Sequence, residues 1–92
     1  MDYEQLLQTY NSNYNQLISI SFRITKDYQL SEDICQNILL RIFERKDTLE
    51  IENYGGYLRA TIRNRSLNAI RDRKRKREVH YEDNQNYEVS DE

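Results

Sequence analysis

Asn64, Asn68, Arg71 and Arg75 recur at steps of four, three and four residues. At about 100° per residue that spacing draws one continuous polar stripe along a helix. An asparagine amide pairs with base edges, and arginine meets phosphates or guanine, so the stripe suits a helix laid against nucleic acid. The surrounding segment strengthens this reading. From Arg59 to Arg77 there are nine Lys/Arg residues against the single acid Asp72, a net charge of plus eight. Charge runs are usually just solvated faces, but here the bases repel one another and Asp72 alone offers relief within the helix. Residues 1–58 carry five bases and nine acids, and residues 78–92 carry six acids and neither Lys nor Arg. The overall charge of minus two therefore conceals a strongly divided chain. Candidate residues to face a nucleic acid, DNA or RNA, are Arg59, Arg63, Asn64, Asn68, Arg71, Lys74 and Arg75.

Two other groups of residues have chemistry to offer. In the segment Ser31 to Arg45, the residues Ile34, Cys35, Ile38, Leu39 and Ile42 fall within one arc of a helical wheel and form a face to bury. Opposite them lie Asp33, Gln36 and Leu40, flanked by Glu32 and Phe43. Leu40 is either a lone exposed leucine, which any surface tolerates, or part of a partner groove in which Leu40 and Phe43 supply burial and Asp33 and Gln36 fix register. The third group is the loop from Lys46 toward Tyr57, with Tyr54 and Tyr57 around Gly55-Gly56. Aromatics beside flexible backbone and a basic helix are the ingredients of a pocket that stacks an unpaired base. The plainer alternative is that one tyrosine packs into the core and the glycines merely open the helix. Tyr57 fits either; Tyr54 reads as exposed.

The elements that must position these groups are helical. There is no Pro and only one pair of adjacent glycines, so little interrupts the backbone. A first stripe of Leu7, Tyr10, Tyr14, Leu17, Ser21 and Ile24 keeps helical phase across Asn11-Ser12-Asn13, predicting one helix from about Asp2 to Thr25, with room for a kink. Lys26 to Gln29 reads as a short connection. Ser31 is the expected N-cap of a second helix ending near Arg45, with Glu32 and Asp33 in its first turn. Residues 46–53 read as loop. A third helix starts near Tyr54–Tyr57, buries Leu58, Ile62, Ser66, Ala69 and Ile70, and frays around Arg75–Glu78. Leu67 belongs to neither of its faces. Residues 80–92 lack a core pattern and read as disordered or as a linker.

Composition narrows the class. Ninety-two residues make one small domain. No apolar run approaches the roughly 18–20 residues a bilayer span needs, so a membrane partner is not expected. A single cysteine, Cys35, forms no intramolecular disulfide and fits a reducing cytosol; with one histidine beside it, a structural zinc site is not expected either. There is no Ser/His or Cys/His pairing, phosphate-cradling glycine loop or metal-ligand cluster, so the chain reads as a non-enzyme without cofactor. His80 reads as a bystander and Cys35 as a small core residue.

Taken together, SEDICQNILLRIFER and YLRATIRNRSLNAIRDRKRKR resemble region 2 of a bacterial sigma factor of the extracytoplasmic-function group. The resemblance spans about residues 3–77 and rests on the joint pattern of an acid-Asp-x-x-Gln helix and an aromatic-Leu…Arg-Asn…Arg-rich helix. It implies an all-α bundle of three to four helices over 1–77, followed by an acidic, disordered linker or tail over 78–92. It implies that Asp33 and Gln36 dock on the coiled-coil clamp of the RNA polymerase β′ subunit, bordered by Glu32, Asn37, Leu40 and Phe43. The loop residues Lys46, Asp47, Thr48 and Asn53, with Tyr54 and Tyr57, would hold a flipped non-template base of the minus-ten promoter element. Asn64, Asn68 and Arg71 would approach that element and help to separate its strands. The family usually has Trp at the position of Tyr57 and often Asp at that of Asn68. A complete member continues into a second helical domain that reads the minus-thirty-five element. Nothing after Arg77 could form it, so the chain reads as a fragment. A cytoplasmic protein, monomeric when free and open to control by an anti-sigma factor, completes the expectation.

Overall fold

The computed structural model describes residues 2–84, and side chains as far as Lys76. Among them the chain forms four α-helices and no strand: α1 (Tyr3–Ser12), α2 (Tyr14–Thr25), α3 (Tyr28–Glu44) and α4 (Tyr54–Asn84). The all-helical class expected from the sequence is what the structure shows.

The N-terminal segment is two helices rather than one. The backbone leaves helical geometry at Asn13 (φ −113°, ψ 15°), and the Asn13 amide side chain donates to the Thr9 carbonyl at 2.8 Å. Asparagine offers the backbone such local alternatives to a helical ladder. The break also resets the phase of α1. Leu6 and Tyr10, one turn apart, are its buried residues, and Leu7 is only half-buried. Helix α2 then buries Leu17, Ile18, Ser21 and Thr25. Asp2 caps α1 by accepting from the amides of Glu4 and Gln5.

The connection to α3 is also tighter than the sequence suggests. Asp27, not Ser31, is the N-cap: its Oδ1 accepts from the Leu30 amide at 3.0 Å. Ser31 is fully buried inside the first turn, where its hydroxyl donates to the Asp27 carbonyl at 2.9 Å and lies 3.0 Å from the Thr25 hydroxyl. The preceding Lys26 takes a left-handed conformation (φ 58°) that ends α2, its amide donating to the Phe22 carbonyl at 2.8 Å.

The core is a single cluster drawn from every helix: Leu6 and Tyr10; Leu17 and Ile18; Ile34, Cys35, Ile38 and Ile42; Leu58 and Ile62. Helix α2 is the hub, packing against both α3 and α4, and α1 lies against α4. At the centre of the α2–α4 seam the Ser21 and Ser66 hydroxyls meet at 2.7 Å, both fully buried. Small side chains let the two backbones approach, and each hydroxyl satisfies the other. Of the expected α3 and α4 core faces, Leu39, Ala69 and Ile70 are half-buried and the rest are buried. Helix α4 does not fray at Arg75–Glu78 but continues to Asn84; with no Gly or Pro after Gly56, nothing in the sequence breaks it. The expected disordered tail thus begins, as far as residue 84, as helix, and the rest of it lies outside the described residues.

Candidate nucleic-acid interface

Helix α4 is positioned at its start by Asn53. The Asn53 Oδ1 accepts from the Gly56 amide at 2.8 Å, and its carbonyl accepts from the Tyr57 amide at 2.9 Å, a side-chain N-cap closing the first turn. A Cβ on Gly56 would sit 3.3 Å from the Asn53 side chain, so the absence of a side chain there is what lets the cap seat. A Cβ on Gly55 would lie 3.2 Å from the Arg59 guanidinium, which folds back over the first turn. Neither glycine has positive φ; they serve by being small.

From that start the helix alternates as its spacing predicts. Leu58, Ile62 and Ser66 are fully buried, while Arg59, Arg63, Asn64, Asn68, Arg71, Lys74 and Arg75 are all exposed. Within the stripe, Arg71 donates to the Asn68 side-chain oxygen at 2.9 Å, and Arg75 sits 3.7 Å from Asp72. Asn68 and Arg71 are therefore already joined as one hydrogen-bonding unit. Leu67, unplaced by the sequence, is 43% exposed and forms a groove of about 340 Å³ with Ile20 and Ile24 of α2, walled by Arg23 and Arg63.

One exposed cation of the segment is tied back to the bundle instead. Arg73 reaches across to α3 and donates to Asp27 Oδ2 at 2.7 Å. That hydrogen bond, and then the Leu30 amide, hold the Asp27 carboxyl below its usual range. Each carboxylate oxygen thus has its own task, one capping α3 and one fixing α4. No periodicity could have revealed this pair. The Ser21–Ser66 contact was more legible, since a small polar residue stood on each of two apolar stripes.

The α3–α4 loop does not gather its expected residues into one place. Lys46 lies with its ammonium 5.3 Å above the Phe43 ring and 3.6 Å from the Asp47 carboxylate. The Thr48 hydroxyl donates to the Arg45 carbonyl at 3.2 Å, and Asn53 is occupied as a cap. Leu49 and Ile51 pack partly against the core and pin the loop down, a signal the sequence carried but periodicity missed. Tyr54, expected to be exposed, is half-buried, because its ring packs on the core and its hydroxyl accepts from the Asp2 amide at 3.0 Å. Tyr57 is half-buried too. It borders a cleft of about 110 Å³ at the end of α3, together with Arg41, Arg45, Leu49, Thr61 and Arg65. Burial, and then the neighbouring Arg41 charge, press the Arg65 guanidinium below its usual pKa. These three arginines were not among the sequence candidates.

The outer face of α3 stands as the wheel predicted. Asp33, Gln36, Asn37, Leu40 and Phe43 are exposed and Glu32 is half-buried; Leu40 is 58% and Phe43 48% exposed. Phe43 meets the edge of Tyr3 of α1 (centroids 5.2 Å, 71° between planes), so α1 borders this face. On the opposite side of the helix burial pushes the Cys35 thiol up to about 11, as suits a core residue. Among the described residues there is no cluster of His, Cys, Asp or Glu placed to hold a metal ion, and no helix long and apolar enough to cross a membrane.

The four-helix domain buries one side of a basic helix and presents an Asn/Arg stripe on the other, a surface suited to nucleic acid. A family model described as Sigma-70 region 2 matches residues 9–76, and the chain belongs to that family. Its part is accordingly that of sigma factor region 2 in promoter recognition at the start of transcription, with RNA polymerase core and promoter DNA as partners. No curated protein and no solved structure matches the chain.

Proposed function

We propose that the domain acts as region 2 of an extracytoplasmic-function sigma factor in the cytoplasm. It docks on the β′ clamp coiled coil through the outer face of α3 and opens the minus-ten element along α4. The observation that carries this reading is the pairing of two separate exposed faces on one bundle. The stripe on α4 is basic and polar, while the α3 face combines Asp33 and Gln36 with exposed Leu40 and Phe43. A simple basic binder has no use for the second face; a protein that must hold both an enzyme and DNA needs both.

The mechanism requires no catalytic chemistry from this chain. Long-range attraction concentrates DNA on α4, and the Asn64–Asn68–Arg71 stripe meets the element. Holding an unpaired base beside Tyr57 offsets the few kcal/mol that unstacking costs, so the open state gains population. The polymerase supplies phosphodiester bond formation. An anti-sigma factor would act by covering either face.

Binding to an isolated β′ clamp coiled coil, with Asp33→Ala/Gln36→Ala alongside, tests the docking. The double variant should fold and lose binding. Equal binding by both proteins, or none by either, would sink the α3 assignment. Those positions lie outside the basic segment, so charge alone does not produce the result.

A further inference from the structure

The cleft at the end of α3 joins Tyr57 to side chains that the promoter reading leaves unused. Arg41 and Arg45 come from the last turn of α3 and its C-cap, Arg65 from the middle of α4, and Tyr57 and Thr61 from the turns of α4 that precede it. Arginines near a helix C-terminus are ordinarily explained by the negative end of the helix dipole, and that accounts for Arg41 and Arg45. It does not account for Arg65. This residue is brought from another helix, is half-buried, and faces the Arg41 charge. Among the described residues the ion pairs are Lys46–Asp47, Arg73–Asp27 and Arg75–Asp72, so none of the three cleft arginines pairs with a carboxylate there. Three arginines lining one cleft without a carboxylate partner among the described residues, one of them half-buried beside a like charge, form an arrangement that an anion would complete. At about 110 Å³ the cleft is well below the roughly 300–1,000 Å³ of pockets that take whole organic ligands. It is a seat for one group.

We propose that Arg41, Arg45 and Arg65, with the hydroxyl of Thr61 and the ring of Tyr57 alongside, form a phosphate seat that holds one phosphate ester beside the α3–α4 loop. The ester comes from a single-stranded DNA backbone or from a free nucleotide, and the chemistry recognised is the same. The DNA source rests on the promoter reading: a strand phosphate fixed here sets the register of the base next to Tyr57. The nucleotide source does not depend on it.

The test uses the full chain and a single-stranded promoter non-template oligonucleotide, a scrambled strand, and a set in which one phosphate at a time is replaced by a neutral methylphosphonate. For a strand phosphate, Arg65→Gln should flatten the dependence of log K on log salt by about 0.7, one phosphate contact on a single strand. It should also abolish the penalty of one particular methylphosphonate while leaving the others intact. Arg65→Lys should restore the salt slope and not the positional effect, because the fork geometry is lost. Arg45→Gln, at an exposed position, repeats the test should Arg65→Gln fail to fold. In the second arm, thermal stabilisation by ATP that Arg65→Gln and Arg45→Gln both lose would assign the seat to a free nucleotide. Unchanged salt slope and methylphosphonate profile in both glutamine variants, with no ATP stabilisation of the parent protein, would overturn the proposal. The promoter reading is scored separately by preference for the promoter strand over the scrambled one. That preference persisting in Arg65→Gln would keep the reading even if the seat failed.

Discussion

Helix α4 is one continuous helix doing two different things along its length. Its first half, from Tyr54 to Ala69, sits on the bundle: Leu58, Ile62 and Ser66 are fully buried, and α2 lies against them. From Arg71 to Lys76 every residue is exposed, and the tie to the rest of the protein among the described residues is the Arg73–Asp27 pair. The first half is held by burial, which is insensitive to salt, and the second by charge, which salt and acid both weaken. A basic surface on the packed half alone would be rigid but short. Extending it past the bundle gives reach, and leaves the charged part held to the rest of the protein by one exposed ion pair among the described residues.

The contrast breaks first if Ile62→Ala is mild. Truncating this fully buried side chain should cost about 2–5 kcal/mol in chemical denaturation, because it removes burial and leaves a cavity in the seam. Cys35 gives an independent readout. Fully buried and with its thiol raised to about 11, it should react with a maleimide only when the core opens, and much faster in Ile62→Ala. Next in size is Ser66→Ala. It strands the buried Ser21 hydroxyl and should cost about 1–3 kcal/mol, whereas Ser21→Ala/Ser66→Ala together should cost less than twice the single change. Strict additivity would show that the two hydroxyls do not act as a pair.

The smallest effect on stability belongs to the exposed half. Arg73→Gln should barely move the midpoint at neutral pH, since exposed ion pairs contribute little. Its signature is pH dependence. The Asp27 carboxyl is depressed in the folded protein, so its stabilisation is present above the ordinary carboxylate pKa of about 4 and is lost as pH falls through the depressed value. Thermal melts from about pH 6 down to pH 2 should therefore fall less steeply in Arg73→Gln than in the parent protein. Identical profiles would mean that Arg73 does not hold Asp27 in solution. Cys35 labelling in this variant should stay slow, the opposite of Ile62→Ala.

What could be read from the sequence follows the same division. Faces set by periodicity were legible: the buried Ile34, Cys35, Ile38 and Ile42 of α3 against exposed Asp33, Gln36 and Leu40, and the Asn64–Arg75 stripe. Junctions were not, because several residues there compete for one role. Asp27 and Ser31 both have capping side chains, and only the packing of Thr25 against Ser31 assigns the cap to Asp27. The Asn11-Ser12-Asn13 run lets an amphipathic stripe continue on paper while the backbone breaks at Asn13. Meetings of distant segments, such as the Arg73–Asp27 pair or Arg65 and Arg41 lining one cleft, leave no trace in local spacing. The cleft they create could not have been named in advance, although its arginines were visible as bases.

The length of α4 beyond its last fully buried residue makes it a lever. Ten residues separate Ser66 from Lys76, about 15 Å of helix, so a tilt of about 10° at the Ser66 seat swings the far end by nearly 3 Å. Against that arm the Arg73–Asp27 pair works as a stay, short and cheap to release. Adjusting the arm to promoter DNA therefore asks for the loss of one exposed ion pair, while the bundle that carries it keeps its shape.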